Sequence, residues 1–175
     1  YKTIDSKVEG VVLTFTDISM QKAAEEKFRS AFQTAPDAVT LNRLKDGLYT
    51  DVNKGFENLT GYSRSEIIGK TSYDIKIWHD FHDREKMTRL LQEKGIVQNF
   101  EAVFVSKKGR KIPGFMSANI VTIKDEKYIL AITRDITELK KNQEKIRENE
   151  YLLKQFQKIG RLGGWEIDVF TGKLH

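Results

Sequence analysis

One segment occurs twice in this chain, and the repeat strongly limits the folds open to it. Residues 12–19 read Val-Leu-Thr-Phe-Thr-Asp-Ile-Ser, and residues 130–137 read Leu-Ala-Ile-Thr-Arg-Asp-Ile-Thr. Asp135 follows Asp17 by 118 residues, which is about the length of one small domain. In each copy a β-rich run ends in the repeated motif and a polar, helix-prone run follows directly. The repeat predicts that one unit ends near Ser19 and that a second unit fills the middle of the chain.

A third unit is predicted late in the chain, where Gly164-Trp165-Glu166-Ile167-Asp168 precedes a turn at residues 171–173. We expect both outer units to be incomplete. The predicted division has five parts: residues 1–19, the last strand of a preceding unit; 20–35, a connecting helix; 36–138, a complete unit; 139–160, a linker helix; and 161–175, the start of a following unit.

The complete unit is predicted to be an α+β domain with an antiparallel sheet. A helix over residues 17–35 carries an apolar stripe, and two short strands flank the turn at residues 45–47. Asn53 can cap one short helix, and Ser63 with Glu66 can form the capping box of another. A longer helix and a three-strand meander follow, so the order is two strands, several short helices and three strands, with the helices on one face of the sheet.

Four motifs in this order resemble the PAS family: residues 53–63, 66–70, 108–110 and 135–137. The resemblance covers residues 25–138 in full, and residues 1–19 resemble the tail of a preceding PAS domain. It implies the PAS fold with flanking signalling helices and a role in sensing and dimerisation. It also implies that any ligand lies between the sheet and the short helices, and that a signal leaves through the helix after the last strand.

The resemblance implies a role in signal transfer for two matching triplets: Asp135, Ile136 and Thr137, and Asp17, Ile18 and Ser19. Asp135 can accept a hydrogen bond from a backbone N–H at the start of the following helix, and Glu138 then places a second negative charge in its first turn. This arrangement would join the last strand rigidly to the helix. The alternative is that Asp135 and Thr137 serve only as a helix cap.

Leu139, Ile146 and Leu153 recur every seven residues in the linker helix, and three further residues follow them at heptad spacing: Asn142, Asn149 and Phe156. This pattern is typical of a weak, adjustable parallel coiled coil. We therefore expect a homodimer formed through the linker helices, with Leu139, Ile146 and Leu153 as the linker seam. The alternative is a single amphipathic helix that lies on its own domain.

Cofactor and metal chemistry have little support in the sequence. The chain has no Cys, which excludes cysteinyl-flavin attachment and thiolate metal sites. Haem-binding PAS domains carry an axial His on the long helix, and the matching position here is Arg84, which argues against haem. His79 and His82 lie beside Asp residues at a helix start, where surface residues are more common than metal ligands, so no metal site is predicted.

The ligand and the residues around it stay open at this point. Four residues of the meander could line a cavity or simply form the core: Phe100, Phe104, Phe115 and Met116. Trp78 and Trp165 are expected to be core or cap residues. Any small-molecule ligand is therefore unidentified.

The net charge of +5 raises the question of nucleic acid, but Lys and Arg alternate with Glu along residues 140–148. Such mixing favours a solvated helix face, so no nucleic-acid partner is predicted. No apolar run reaches the length of about 20 residues that a membrane helix needs. We expect no membrane contact in this segment and a cytoplasmic location, with any membrane anchor elsewhere in a longer protein.

No catalytic residues are predicted in this chain, because it has no Gly-rich phosphate loop and no Ser-His-Asp arrangement. His82 also lacks the following Pro of a kinase phosphoacceptor helix. The tandem arrangement most resembles sensor histidine kinases, so the expected function is a PAS sensory and dimerisation module whose output domain lies downstream. The alternatives are a segment of a diguanylate cyclase or phosphodiesterase, and a ligand-free dimerisation scaffold.

Overall fold

The structure is a computed structural model that describes Asp17 and residues 19–160. The predicted preceding strand lies in residues 1–16 and Ile18, outside the described residues. The predicted following unit, in residues 161–175, also lies outside them.

Five antiparallel strands form one sheet, and β1 and β5 lie at its centre. In space the strands follow the order β2-β1-β5-β4-β3. Their bounds are Ala38–Arg43 for β1, Tyr49–Val52 for β2, Ile96–Val105 for β3, Lys111–Ile123 for β4 and Glu126–Asp135 for β5. Since β1 pairs directly with β5, the strand that opens the domain lies next to the strand that closes it.

In the described part of the chain, five helices accompany the sheet, and three of them stand between β2 and β3. Their bounds are Ser19–Thr34 for α1, Lys54–Thr60 for α2, Arg64–Ile67 for α3, Phe81–Lys94 for α4 and Thr137–Gly160 for α5. The short helices α2 and α3 and the longer α4 contact the strands on one face of the sheet. The predicted α+β order of two strands, short helices and a three-strand meander is therefore confirmed.

Local capping explains where the short helices begin and end. The Asn53 side chain accepts a hydrogen bond from the Phe56 backbone N–H at 2.8 Å, and α2 ends at Gly61, whose φ of 78° is the left-handed conformation that Gly tolerates. At α3 the Ser63 backbone N–H donates to the Glu66 carboxylate at 2.9 Å, as predicted. These bonds satisfy backbone groups that a helix terminus leaves without intrahelical partners.

The core lies between the sheet and the helices α2 to α4. The most deeply buried apolar side chains come from both layers: Val52, Ile67, Leu91 and Ile112. A bulge interrupts β3 between Val97 and Phe100, where Asn99 has a φ of 49°. Because the extra residue reverses the alternation, Val97 and Ala102 both face the core.

The apolar stripe predicted for α1 is mostly not buried. Phe32 packs into the domain, but Phe28 is 65% exposed and Ala31 is also exposed. The Phe28 ring stacks on the Phe32 ring with centroids 5.8 Å apart. The predicted helix is confirmed, and among the described residues Phe32 is the buried member of its apolar stripe, with Ala35 half-buried just after the helix.

Helix α5 leaves the domain after one buried residue, Ile136. From Glu138 to Lys158 every side chain is exposed except that of Gln155, which is half-buried. Among the described helices, none has the length and apolar character needed to cross a membrane.

Candidate functional site

A small cavity lies between the sheet and the short helices. Its walls come from β1, β2, α2, the loop before α4 and the meander, and they include Thr40, Tyr49, Phe56, Trp78, Phe104 and Met116. The volume is about 40 Å³, which is room for only a few water molecules. The rings of Trp78 and Phe104, with centroids 4.9 Å apart, fill much of the space, so Trp78 is a core residue, one of the two roles expected for it.

Only two of the four meander residues considered as cavity residues line this cavity. They are Phe104 and Met116. Phe115 precedes Met116 on β4, so its side chain lies on the opposite face of the sheet. Phe100 packs against the core beside α4 and lines a separate shallow groove. The four residues were grouped by residue type, because the sequence does not show on which face of the sheet each one lies.

A larger cleft adjoins the cavity, between α4 and the strands β1 and β5. Its volume is about 260 Å³, just below the range of about 300–1,000 Å³ that is typical of small-molecule sites. Apolar side chains of both layers form its inner wall: Trp78, Met87, Met116, Ile129 and Ala131. Polar side chains also line it, among them Asn42, Ser72 and Arg84.

Arg84 is held in place by two neutral hydroxyl groups. Its Nε donates to Ser72 Oγ at 2.8 Å, and its Nη1 donates to the Tyr73 hydroxyl at 3.0 Å. The guanidinium also lies 4.2 Å from the centroid of the Tyr73 ring. Within residues 19–160 no carboxylate lies at ion-pair distance from it. The position at which haem-binding PAS domains carry a His therefore holds a cation at a cleft wall.

Tyr49 lines both the cavity and the cleft. The residue is only 6% exposed, yet its hydroxyl makes no hydrogen bond to any described residue. Burial raises the pKa of this hydroxyl, and the nearby charge of Arg84 opposes the rise. Tyr49 was not predicted as a site residue, since a lone Tyr at the start of a short strand carries no signal of its own.

Asn53 does more than the predicted capping of α2. The side chain is fully buried, and its Oδ1 also accepts from the Val39 backbone N–H at 2.8 Å. Its Nδ2 donates to the carbonyl oxygens of Ala35 at 3.1 Å and Asp37 at 3.0 Å. One amide thus joins the end of α1, the first strand and α2.

The backbone is also closely packed at Gly55, where an added Cβ would lie 2.3 Å from the Asp37 carbonyl oxygen.

The junction between β5 and α5 contains the predicted signal-transfer residues. Asp135 Oδ1 accepts the Thr137 backbone N–H at 2.8 Å, so the predicted cap is present. Ile136 is buried, and its N–H donates to the Pro113 carbonyl on β4 at 3.0 Å. The buried Thr137 hydroxyl has no hydrogen-bond partner in the described part of the chain. Lys140 forms an ion pair with Glu101 on β3.

The same cap occurs at the start of α1. Asp17 Oδ1 accepts the Ser19 backbone N–H at 2.8 Å, and hydrogen bonds from the Ser19 side chain and backbone lower the pKa of the Asp17 carboxyl. Both described copies of the repeated motif therefore begin a helix in the same way. The role of these residues in signal transfer stays a prediction, and Ile18 lies outside the described residues.

The heptad residues of α5 are not covered by their own domain. Leu139 is 47%, Ile146 59% and Leu153 63% exposed. Phe156, at a second heptad position, is also exposed. The exposure disfavours the alternative of a helix that lies on its own domain, and it leaves the predicted linker seam available to a partner.

The two described His residues lie away from the cleft. His82 is on the surface, where a hydrogen bond with Asp80 raises its pKa. The His79 backbone N–H donates to the Val103 carbonyl oxygen. No group of three or more His, Asp or Glu side chains arranged to hold a metal ion occurs among the residues that the structure describes.

Comparison with known proteins agrees with this architecture. A sensor associated with a methyl sulfide methyltransferase, from Methanosarcina acetivorans, is 32% identical over 86% of this chain and 15% of its own length. The sensor histidine kinase TmoS of Ectopseudomonas mendocina is 22% identical over 81% of this chain and 15% of its own. The chain therefore spans less than one fifth of the length of these curated relatives.

A solved structure shows the fold independently. The PAS domain of an HTR-like protein from Haloarcula marismortui superimposes with a TM-score of 0.57 and 22% identity, over 67% of this chain and 95% of that one. The sequence model described as a PAS domain matches residues 36–138, which is more than half of the chain. The chain therefore belongs to the PAS domain family.

Proposed function

We propose that this chain is the sensory and dimerisation segment of a multidomain signal-transduction protein, most like a sensor histidine kinase. In this proposal the PAS domain passes a conformational change through the helix that begins at Asp135 to an output domain. The proposal divides the chain at the boundaries expected from the sequence, with residues 36–138 as the complete domain, and it keeps the expected cytoplasmic location.

The observation that carries the proposal is the contrast in burial between the start of α5 and the rest of the helix. Ile136 is buried and bonded to Pro113, so the start of the helix follows any movement of β4 and β5. The linker seam of Leu139, Ile146 and Leu153 is exposed beyond it. A helix that is fixed at one end and apolar along one side suits pairing with its copy in a second chain. Two relatives, the sensor from Methanosarcina acetivorans and the sensor histidine kinase TmoS, agree with this function.

Substitution on and off the seam tests the dimer. Leu153 and Tyr151 are each 63% exposed on the same helix, but only Leu153 lies on the seam. We expect Leu153→Asp to give a monomer in sedimentation velocity, because a charge in the seam is costly to desolvate. Tyr151→Asp, the matched control, should leave the dimer intact. A dimer that persists in Leu153→Asp would move the interface elsewhere, for example to the exposed Phe28 of α1.

The signal-transfer role needs a comparison of output and stability. In a protein that retains its output domain, Asp135→Ala with Thr137→Ala should alter output regulation more than it lowers the thermal midpoint. Loss of the cap alone costs about 1 kcal/mol. If regulation and stability fell in proportion, the motif would be only a helix cap.

A ligand-free dimerisation scaffold is the second candidate, and the small size of the inner cavity favours it. A volume of about 40 Å³ leaves no room for an organic ligand. The adjoining cleft is the feature that distinguishes the two candidates, because a scaffold has no need of one.

A further inference from the structure

We propose that the cleft beside α4 binds a small organic carboxylate, with its anionic group on Arg84 and its apolar body against the inner wall. The inference rests on the proposed sensory function and names the ligand class for it. Three independent features of the cleft carry it: the unneutralised Arg84, the unpartnered Tyr49 hydroxyl and the apolar wall behind them.

Arg84 is the group that selects a negative charge. Its two hydrogen bonds go to the neutral Ser72 and Tyr73 hydroxyls, which position the guanidinium without neutralising it. The Nη2 atom makes no hydrogen bond to any described residue. It lies 3.5 Å from the point that a Cβ on Gly47 would occupy at the cleft mouth. Arginine N–H groups match the geometry of a carboxylate and form strong, charge-assisted hydrogen bonds with it.

The other charged side chains that line the cleft do not neutralise Arg84. Asp46 also lines the cleft, but its carboxylate is already engaged. Asp46 Oδ2 lies 2.6 Å from Arg43 Nη2, and Asp46 Oδ1 accepts a hydrogen bond from the Leu48 backbone N–H at 3.2 Å. Lys45 lies at the same edge and is 3.7 Å from Glu126. The cleft therefore offers cationic groups, and the acidic side chain that lines it is already engaged with Arg43.

Tyr49 provides a second polar contact in the cleft. Its hydroxyl makes no hydrogen bond to any described residue and reaches the surface of the cleft, so it can donate to a ligand oxygen. The hydroxyl is protonated at neutral pH and acts as a hydrogen-bond donor, and burial raises its pKa further. A ligand oxygen, either of the carboxylate or of the ligand body, can accept that hydrogen bond.

The apolar inner wall of the cleft favours an apolar body in the rest of the ligand. Met87, Met116, Ile129 and Ala131 present apolar atoms beside Trp78, and burying apolar ligand surface there is favourable. Flexible Met side chains adapt readily to ligands of different shape. An anionic head with an apolar body fits this distribution better than a polyanion, which would leave the inner wall without a partner.

The test compares an acid with its neutral analogue on the whole chain. Phenylacetate and phenylacetamide have the same apolar body, and binding is followed at millimolar ligand by chemical-shift changes of the backbone amides. We expect saturable shifts in α4 and β5 with phenylacetate, and binding of the amide to be at least about tenfold weaker, as expected when a charged hydrogen bond is lost. Equal affinity for the two compounds, or no saturable shift with the acid, would overturn the proposal.

Two variants and a control locate the interaction. Arg84→Gln should weaken phenylacetate binding at least about tenfold, and Tyr49→Phe, which removes one oxygen, about threefold to tenfold. Arg89→Gln is the control, because Arg89 is exposed on the same helix and does not line the cleft. An unchanged amide spectrum away from the cleft verifies the fold of each variant. Retained affinity in both cleft variants would place any bound acid elsewhere and overturn the assignment.

Sedimentation of the same samples separates this inference from the proposed function. A dimer that binds no acid overturns the ligand class and leaves the signalling segment in place. A monomer that binds phenylacetate through Arg84 supports the ligand class and contradicts the dimer.

Discussion

Arg134 and Asp37 connect the two ends of the PAS domain through one ion pair. Arg134 Nη2 lies 2.9 Å from Asp37 Oδ2, and Arg134 Nε donates to the same oxygen at 3.1 Å. Arg134 directly precedes the Asp135 that caps α5, and Asp37 follows the end of α1. The pair thus bridges the chain segment that leads into the domain and the strand that leads out of it.

We expect this ion pair to contribute little to stability. The Arg134 side chain is 71% exposed, and exposed pairs contribute at most about 1 kcal/mol. Arg134→Gln should therefore lower the free energy of unfolding by less than about 1 kcal/mol. A double-mutant cycle with Asp37→Asn, measured by urea unfolding, should give a coupling energy in the same range.

The control for that cycle is Asp74→Asn, because the Asp74 carboxylate bonds to Thr71 and not to Arg134. Its coupling to Arg134→Gln should be near zero. A coupling energy between Arg134 and Asp37 far above 1 kcal/mol would contradict the view of a screened surface pair.

Asn53→Ala should be among the most destabilising single substitutions in the domain. It removes all four hydrogen bonds of the buried amide and leaves the Val39 and Phe56 backbone N–H groups unpaired in the interior. We expect a loss of about 3 kcal/mol or more in the free energy of unfolding, since each buried unsatisfied group costs about 1–3 kcal/mol. The measurement is chemical denaturation followed by circular dichroism.

Asn58→Ala serves as the comparison for Asn53, because Asn58 is exposed on α2, the helix that Asn53 caps. It should change stability by no more than about 0.5 kcal/mol. Similar losses at the two positions would mean that the amide bonds of Asn53 are not what holds α1, β1 and α2 together.

Glu66 should make stability depend on pH in the acid range. The Lys107 ammonium, followed by the Ser63 backbone and side chain, lowers the pKa of Glu66 to about 2 from the ordinary value of 4.5. A lowered folded-state pKa means that the stabilising contribution is present above about pH 4.5 and is lost as the pH falls towards 2. The drop in thermal midpoint caused by Glu66→Gln should therefore be larger at pH 6 than at pH 2.5.

Lys107 and Lys108 provide the matched pair for this pH effect. Lys107→Met removes the largest cause of the lowered pKa and should reduce the acid dependence. Lys108→Met, in the same turn and exposed, should leave it unchanged. Equal pH profiles for the two variants would show that Lys107 is not the cause.

The parts of this structure that the sequence predicted depend on neighbouring residues. Asn53, Gly61 and the pair of Ser63 and Glu66 cap helices through bonds that span a few positions, so their residue types and spacing are sufficient evidence. The cap at Asp135 was predicted for the same reason. The order of two strands, several short helices and a three-strand meander also followed from local apolar runs and turns, whereas the order of the strands within the sheet was not predicted.

What the sequence did not predict depends on contacts between distant segments. Periodicity alone could not show that Phe28 lies on an uncovered side of α1, or that the bulge at Asn99 reverses the alternation of β3. Asn53 also bonds to Val39, across 14 positions. The cleft brings Tyr49 and Arg84 together from a strand and a helix that are far apart in the chain, so no motif marks it.

The measurement that most directly tests the account is cross-linking along α5. The chain has no Cys, so a single introduced Cys reports one position. Ile146 is 59% and Tyr151 63% exposed, but only Ile146 lies on the proposed linker seam. In a parallel coiled coil the two copies of a seam residue face each other within reach of a disulfide.

Ile146→Cys should therefore form a disulfide-linked dimer rapidly under mild oxidation, whereas Tyr151→Cys should remain largely uncross-linked at the same protein concentration. This result would place the linker seam between two chains, where the proposed signal passes. Equal cross-linking at the two positions, or none at Ile146→Cys in a sample that sediments as a dimer, would contradict the account.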